Sequence, residues 1–112
     1  VSEAIERRMA ELRQLADDYA KARANTVYLE EFRKSKLAIL MKAAEAQGVK
    51  TSAAQERDAL AHPDYLALLD GLKAAVEVSE RSRWLLRISE MGADIYRTEQ
   101  ATLRAERKGY GS

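Results

Sequence analysis

Between Ser2 and Ala46 the chain contains neither glycine nor proline, and apolar residues recur through that stretch at intervals of three and four. Ile5, Met9, Leu12, Ala16 and Tyr19 keep the spacing, and Ala22, Thr26, Leu29 and Phe32 carry it on. Leu37, Leu40 and Ala44 continue it on a slightly rotated face. A repeat near 3.6 belongs to an amphipathic helix, whereas a strand would alternate with a period of two. The tract therefore predicts one long helix over about 2–46. Acid-first pairs at i,i+4 (Glu3–Arg7, Asp17–Lys21, Glu30–Lys34) support it by about 0.2–0.5 kcal/mol each. Asn25-Thr26-Val27 is its weakest stretch and a candidate bend.

Gly48 is the first residue suited to a left-handed C-cap, so the helix should stop there. Thr51 or Ser52 can cap a short second helix over about 53–61, with Gln55 three residues after Ser52 as in a capping box. His62-Pro63 should break that helix, because proline disfavours α geometry in its predecessor and suits a first helical turn. Asp64 then complements the dipole of a second long helix over about 63–108. Its apolar stripe reads Tyr65, Leu69, Leu72, Val76, then Trp84, Ile88, Met91 and Ile95, with a register shift between Val76 and Trp84. Thr98 and Thr102 extend it with half-polar side chains. Gly71 and Gly92 weaken this helix or mark close packing, and Gly109 and Gly111 should end it, leaving a short tail.

At 112 residues the chain has room for a single domain, and 46% hydrophobic with 33% charged residues makes it neither disordered nor a membrane span. Its N-terminus is charged rather than leader-like, so the expected location is the cytoplasm with no membrane partner. Two helices of about 45 residues would each reach about 68 Å. Folded back as an antiparallel hairpin through a connector with a short helix, they form an all-α layer with a thin core. Each helix then keeps an apolar edge that one neighbour cannot cover. The sequence thus predicts a homo-oligomer, a helical bundle or ring, with Tyr65, Leu69, Leu72, Val76, Trp84, Ile88, Met91 and Ile95 as oligomer or partner interface. Breaks near Asn25 or Ser79 would instead permit a compact monomeric bundle.

Catalytic and metal chemistry finds little to work with. There is no cysteine and one histidine, His62, whose place before proline reads as a loop or helix entry. Asp58 and Asp64 could join His62 around a metal, but no second histidine or thiolate completes a transition-metal site. Asp17-Asp18 and Glu30-Glu31 diverge by about 100° on a helix and read as solvated face rather than as a catalytic dyad. No phosphate-binding or nucleophile-elbow pattern occurs. The expectation is a non-enzymatic protein with no cofactor.

Two basic clusters stand out against a net charge of +1. The first is Arg33, Lys34, Lys36 and Lys42, with Lys50 beyond it. It reads either as a solvated helix end favoured by the dipole or as a phosphate-contact face. The second is Arg81, Arg83 and Arg87 around Trp84, followed by Arg97, Arg104, Arg107 and Lys108, with Tyr96 and Tyr110 among them. Arginine interleaved with aromatics suits single-stranded DNA, because guanidinium takes phosphate and rings stack on bases. The competing readings are Trp84 buried at a helix contact and the arginines in ion pairs with Glu77, Glu80, Glu90 and Glu99.

The tract FRKSKLAILMKAAEAQGVKTSAAQERDALAHPDYLALLDGL, followed by RWLLRISEMGADIYRTEQATLRAE, resembles small helical proteins encoded by tailed phages and prophages, over about residues 32–106. Arg83-Trp84, Tyr96-Arg97-Thr98 and the FRKSK segment at 32–36 carry the pattern. Gly92 stands where a larger residue is usual, and Tyr96 where tryptophan is common. More distantly, the layout is similar to the UvsY-type recombination mediators of phages. The resemblance implies an oligomeric accessory of phage DNA recombination or replication in the host bacterial cytoplasm. Such a protein binds single-stranded DNA weakly and helps load a recombinase onto strands covered by a single-strand-binding protein. The alternative is a helical protein–protein adaptor or inhibitor of a host or phage factor. A virion component is a third reading, resting on oligomer formation alone.

Overall fold

A computed structural model describes residues 2–111 of the chain. It holds three helices, α1 (Glu3–Ala46), α2 (Ser52–Leu60) and α3 (Pro63–Gly111), and no strand among the described residues. α1 packs against α3 with the short α2 between them in sequence, which is the all-α hairpin expected. α1 runs through Asn25-Thr26-Val27 without a break, and α3 runs through Ser79 and past Gly109 to Gly111. Among the described residues, no helix is long and apolar enough to cross a membrane.

The ends of the helices follow from local chemistry. Gly48 takes φ +99°, and around it Gly48 N–H donates to Glu45 O at 3.0 Å while Val49 N–H donates to Ala44 O at 3.1 Å. Those two bonds are a Schellman closure of α1. Thr51 caps α2: its Oγ1 accepts from Ala54 N–H at 3.2 Å. Gln55 does not complete a capping box. Its Nε2 donates instead to Val49 O at 2.8 Å and ties the connector to the start of α2. His62 caps α3, Nδ1 accepting from Asp64 N–H at 3.0 Å, so the lone histidine serves the helix entry before Pro63.

The chain divides into two compact units, Ala20–Glu80 and Val1–Tyr19 with Arg81–Ser112. In the first, Leu40, Ala59 and Tyr65 are buried, with Leu37, Met41 and Leu69 packed against them. Thr26, only 2% exposed, faces buried Ala75, and Ser79 is buried one turn further on. In the second unit, Leu12, Leu15 and Tyr19 of α1 are half-buried, as are Ser82, Leu86, Ser89, Gly92 and Ala93 of α3. Arg8 crosses to α3 there, its Nη2 donating to Ser89 O at 3.0 Å. A Cβ on Gly92 would stand 3.2 Å from that same nitrogen.

Along α3 one inward line runs through Tyr65, Leu68, Leu72, Ala75, Ser79, Ser82, Leu86, Ser89 and Ala93, with Leu69 and Gly92 half-buried beside it. The steps alternate three and four without interruption, the repeat of a coiled-coil seam. Here the expected stripe is corrected. Tyr65, Leu69 and Leu72 lie inward and are taken up by the chain's own packing, whereas Val76, Trp84, Ile88, Met91 and Ile95 are exposed. The register shift inferred after Val76 is a change from one face of α3 to another. From Ala75 onward small residues line much of the seam, and small side chains let helix backbones approach closely.

Candidate interaction surface

In the unit that contains Arg81–Ser112, Trp84, Ile88, Met91 and Ile95 are 52%, 60%, 56% and 59% exposed. Their steps of four, three and four place them in one strip, about 180° around the helix from Ser82, Leu86, Ser89 and Ala93. α3 is therefore apolar or small on two opposite sides, and α1 occupies one of them. The four side chains leave on the order of 500 Å² open, the size of the largest apolar patch on a typical monomer, a patch that is often functional. Leu85, also exposed, widens it on one edge, whereas Tyr96, three residues past Ala93, continues the inward line and is exposed there.

Charged residues fill the flank between the strip and the inward face, with Arg87 and Asp94 bordering the strip and the others nearer the inward side. Arg83, Arg87, Glu90, Asp94, Arg97, Arg104 and Lys108 recur at helical spacing on one side of α3, and all are exposed. The Arg83 guanidinium lies 5.3 Å from the centre of the Trp84 ring, a cation–π contact worth about 0.5–1 kcal/mol at an exposed site. Arg97 pairs with the Asp94 carboxylate. Four of the five candidate arginines of this cluster (Arg83, Arg87, Arg97 and Arg104) thus share a side, while Arg81, also exposed, lies toward the opposite edge of the strip. Glu90 and Asp94 interrupt the row at its middle. The whole unit holds ten basic side chains (three up to Tyr19, seven from Arg81) against nine acidic ones (five and four). The side chain of Tyr110 lies outside those described.

The first basic cluster does not assemble. Arg33 and Lys42 are about 180° apart around α1, and Lys34 and Lys36 about 200°. Lys34 sits 3.5 Å from Glu31, and half-buried Lys36 sits 4.0 Å from Asp64. Tyr28 and Phe32 stack with ring centres 5.9 Å apart, Tyr28 exposed and Phe32 half-buried. Aromatic stacking on α1 therefore joins two neighbours rather than standing open.

Two features escaped the sequence reading. Ala75, Ser79, Ser82, Ser89 and Ala93 carry much of the seam but are weakly hydrophobic. Their signal is the unbroken three–four spacing rather than any apolar run. Arg8 as a cross-helix tie has no local signature at all. Among the described residues, no group of three His, Cys, Asp or Glu side chains is placed to hold a metal ion. No protein-family model, curated protein or solved structure matches this chain.

Proposed function

We propose that this protein is a non-enzymatic accessory of phage DNA recombination or replication in the host cytoplasm. It works as an oligomer that contacts single-stranded DNA weakly and leaves surface for a recombinase or single-strand-binding protein. One observation supports this above the others: α3 carries both an open apolar strip and a set of exposed arginines on one flank, Arg83, Arg87, Arg97 and Arg104, of which Arg87 borders the strip. The strip provides for assembly. The row provides phosphate contacts, individually weak because Glu90 and Asp94 lie among them, and repeated copies multiply such contacts through effective concentration. The phage-like tract that carries Arg83-Trp84 and Tyr96-Arg97-Thr98 gives the reading its biological context.

Binding of labelled oligo(dT) at low and at moderate salt tests it. Binding should weaken steeply as salt rises, because released counterions drive phosphate contact. Arg97→Glu with Arg104→Glu should abolish it, while Arg33→Glu with Lys34→Glu should change it little. Absence of binding at low salt, or binding indifferent to salt, removes the DNA role.

The near-neutral charge of the unit favours a second reading, a helical adaptor whose strip docks on a protein factor. Affinity purification from lysogenic cells, comparing the intact chain with Ile88→Glu, separates the two. A host or phage factor retained only by the intact chain, with no DNA binding, establishes the adaptor.

A further inference from the structure

We propose that the occupant of the outer strip of α3 is a second copy of the chain, its α3 running antiparallel across a two-fold axis between Ile88 and Met91. The inference rests on the reading of that strip as an interaction surface and adds its partner, direction and register.

The strip has the spacing of a coiled-coil seam: Arg81, Trp84, Ile88, Met91, Ile95 and Thr98 follow at steps of three and four. An antiparallel pair about that axis sets Ile88 against Met91 of the second copy and Trp84 against Ile95. Arg81 meets the hydroxyl of Thr98. Every large apolar residue of the strip then faces another, and the symmetry repeats each contact twice.

Charge selects this alignment over its neighbours. Arg87 and Asp94 occupy the same edge position of successive repeats, and about this axis Arg87 of each copy lies beside Asp94 of the other. Asp94 already accepts from Arg97 one turn along its own helix, and a carboxylate has capacity for both. A slip of one repeat in one direction brings the two Asp94 carboxylates together, and a slip in the other brings the two Arg87 guanidiniums together. A parallel pair fares worse. It stacks Arg81 on Arg81 at the seam and sets Asp94 beside Glu99 on both edges. Like charges in these positions oppose association, so the sequence disfavours each alternative.

Area agrees. A stable interface buries about 800 Å² on each partner. The strip supplies on the order of 500 Å² of that as an apolar centre, and Leu85, Arg87 and Asp94 supply a rim of the usual mixed character. The same arrangement brings the arginine rows of both copies onto one side of the pair.

Sedimentation velocity of the full chain over a concentration series tests the proposal, with circular dichroism confirming unchanged helicity in every variant. The wild type should sediment as a dimer. Arg87→Asp and Asp94→Arg should each weaken association about tenfold or more, and the double exchange should restore it. Because the chain has no cysteine, Trp84→Cys mixed with Ile95→Cys should form a disulfide-linked pair under mild oxidation, and neither alone should. A monomer at all concentrations, single exchanges without effect, or Trp84→Cys linking to itself as readily as to Ile95→Cys overturns it. Oligo(dT) binding on the same samples keeps the two readings apart. A monomer that binds DNA rejects only the pair, and a dimer that ignores DNA rejects only the nucleic-acid role.

Discussion

Thr26 holds its one hydroxyl proton between two carbonyl oxygens, that of Ala22 on its own helix at 3.1 Å and that of Ala75 across the seam at 3.2 Å. The bond is buried and joins residues 49 apart in sequence, so it fixes which turn of α1 meets which turn of α3. Thr26→Val keeps the shape and removes the donor. Because Ala75 O also belongs to the α3 ladder, the expected loss is about 1 kcal/mol in urea unfolding. Ala75→Leu should cost more, about 1–3 kcal/mol, because there is no room for the added atoms.

Gly71 and Gly92 separate a free helix position from a crowded one. Nothing stands within 4 Å of a Cβ added at Gly71, so Gly71→Ala should raise stability by about 0.5–1 kcal/mol through helix propensity. At Gly92 the added carbon meets the Arg8 guanidinium, the movable end of a long side chain. Gly92→Ala should therefore gain less than Gly71→Ala, and in an Arg8→Ala background the two gains should converge. Thermal unfolding of the four variants measures this.

The connector depends on two backbone devices. Gly48→Ala forces a side chain into the left-handed region at φ +99° and should cost about 1–2 kcal/mol. Thr51→Ala removes the oxygen that accepts from Ala54 and should cost about 1 kcal/mol, while Thr51→Ser should be nearly neutral. Denaturant midpoints with unchanged slopes would confirm that these act on stability alone.

Truncation on the two sides of α3 should give opposite results. Tyr65→Ala empties a buried site beside Leu40 and Ala59 and should cost about 3–5 kcal/mol. Ile88→Ala, on the outer strip, should leave the unfolding midpoint nearly unchanged in dilute protein, where no partner covers it. Comparable losses at the two positions would mean that Ile88 is packed within the chain.

The helix boundaries around the connector were legible because each is a matter of local chemistry, whereas Gly109 does not end α3, which runs on to Gly111. Gly48, Thr51 and His62-Pro63 act within a turn of themselves, and all three end or start a helix where expected. The inner face of α3 was only half legible. Tyr65, Leu69 and Leu72 stand out by size, but Ala75, Ser79 and Ser82 give almost no hydrophobic signal, and Trp84 and Ile88 draw the eye to the wrong side. A hydropathy pattern weighs bulk, whereas this seam selects for smallness. The basic clusters divide in the same way. Arg83, Arg87, Arg97 and Arg104 share a side because their spacing is helical, while Arg33, Lys34, Lys36 and Lys42 are neighbours in sequence that the helix turns away from one another.

The smallness of the seam also has a thermodynamic consequence. Alanine and serine bring little oily surface out of water, so the hairpin's own glue is meagre where Ser79, Ser82 and Ser89 meet α1. Covering Trp84, Ile88, Met91 and Ile95 removes more of it than those three contacts do. If a second copy covers that strip, folding and association are linked by mass action, and the melting point should climb with the amount of protein in the tube.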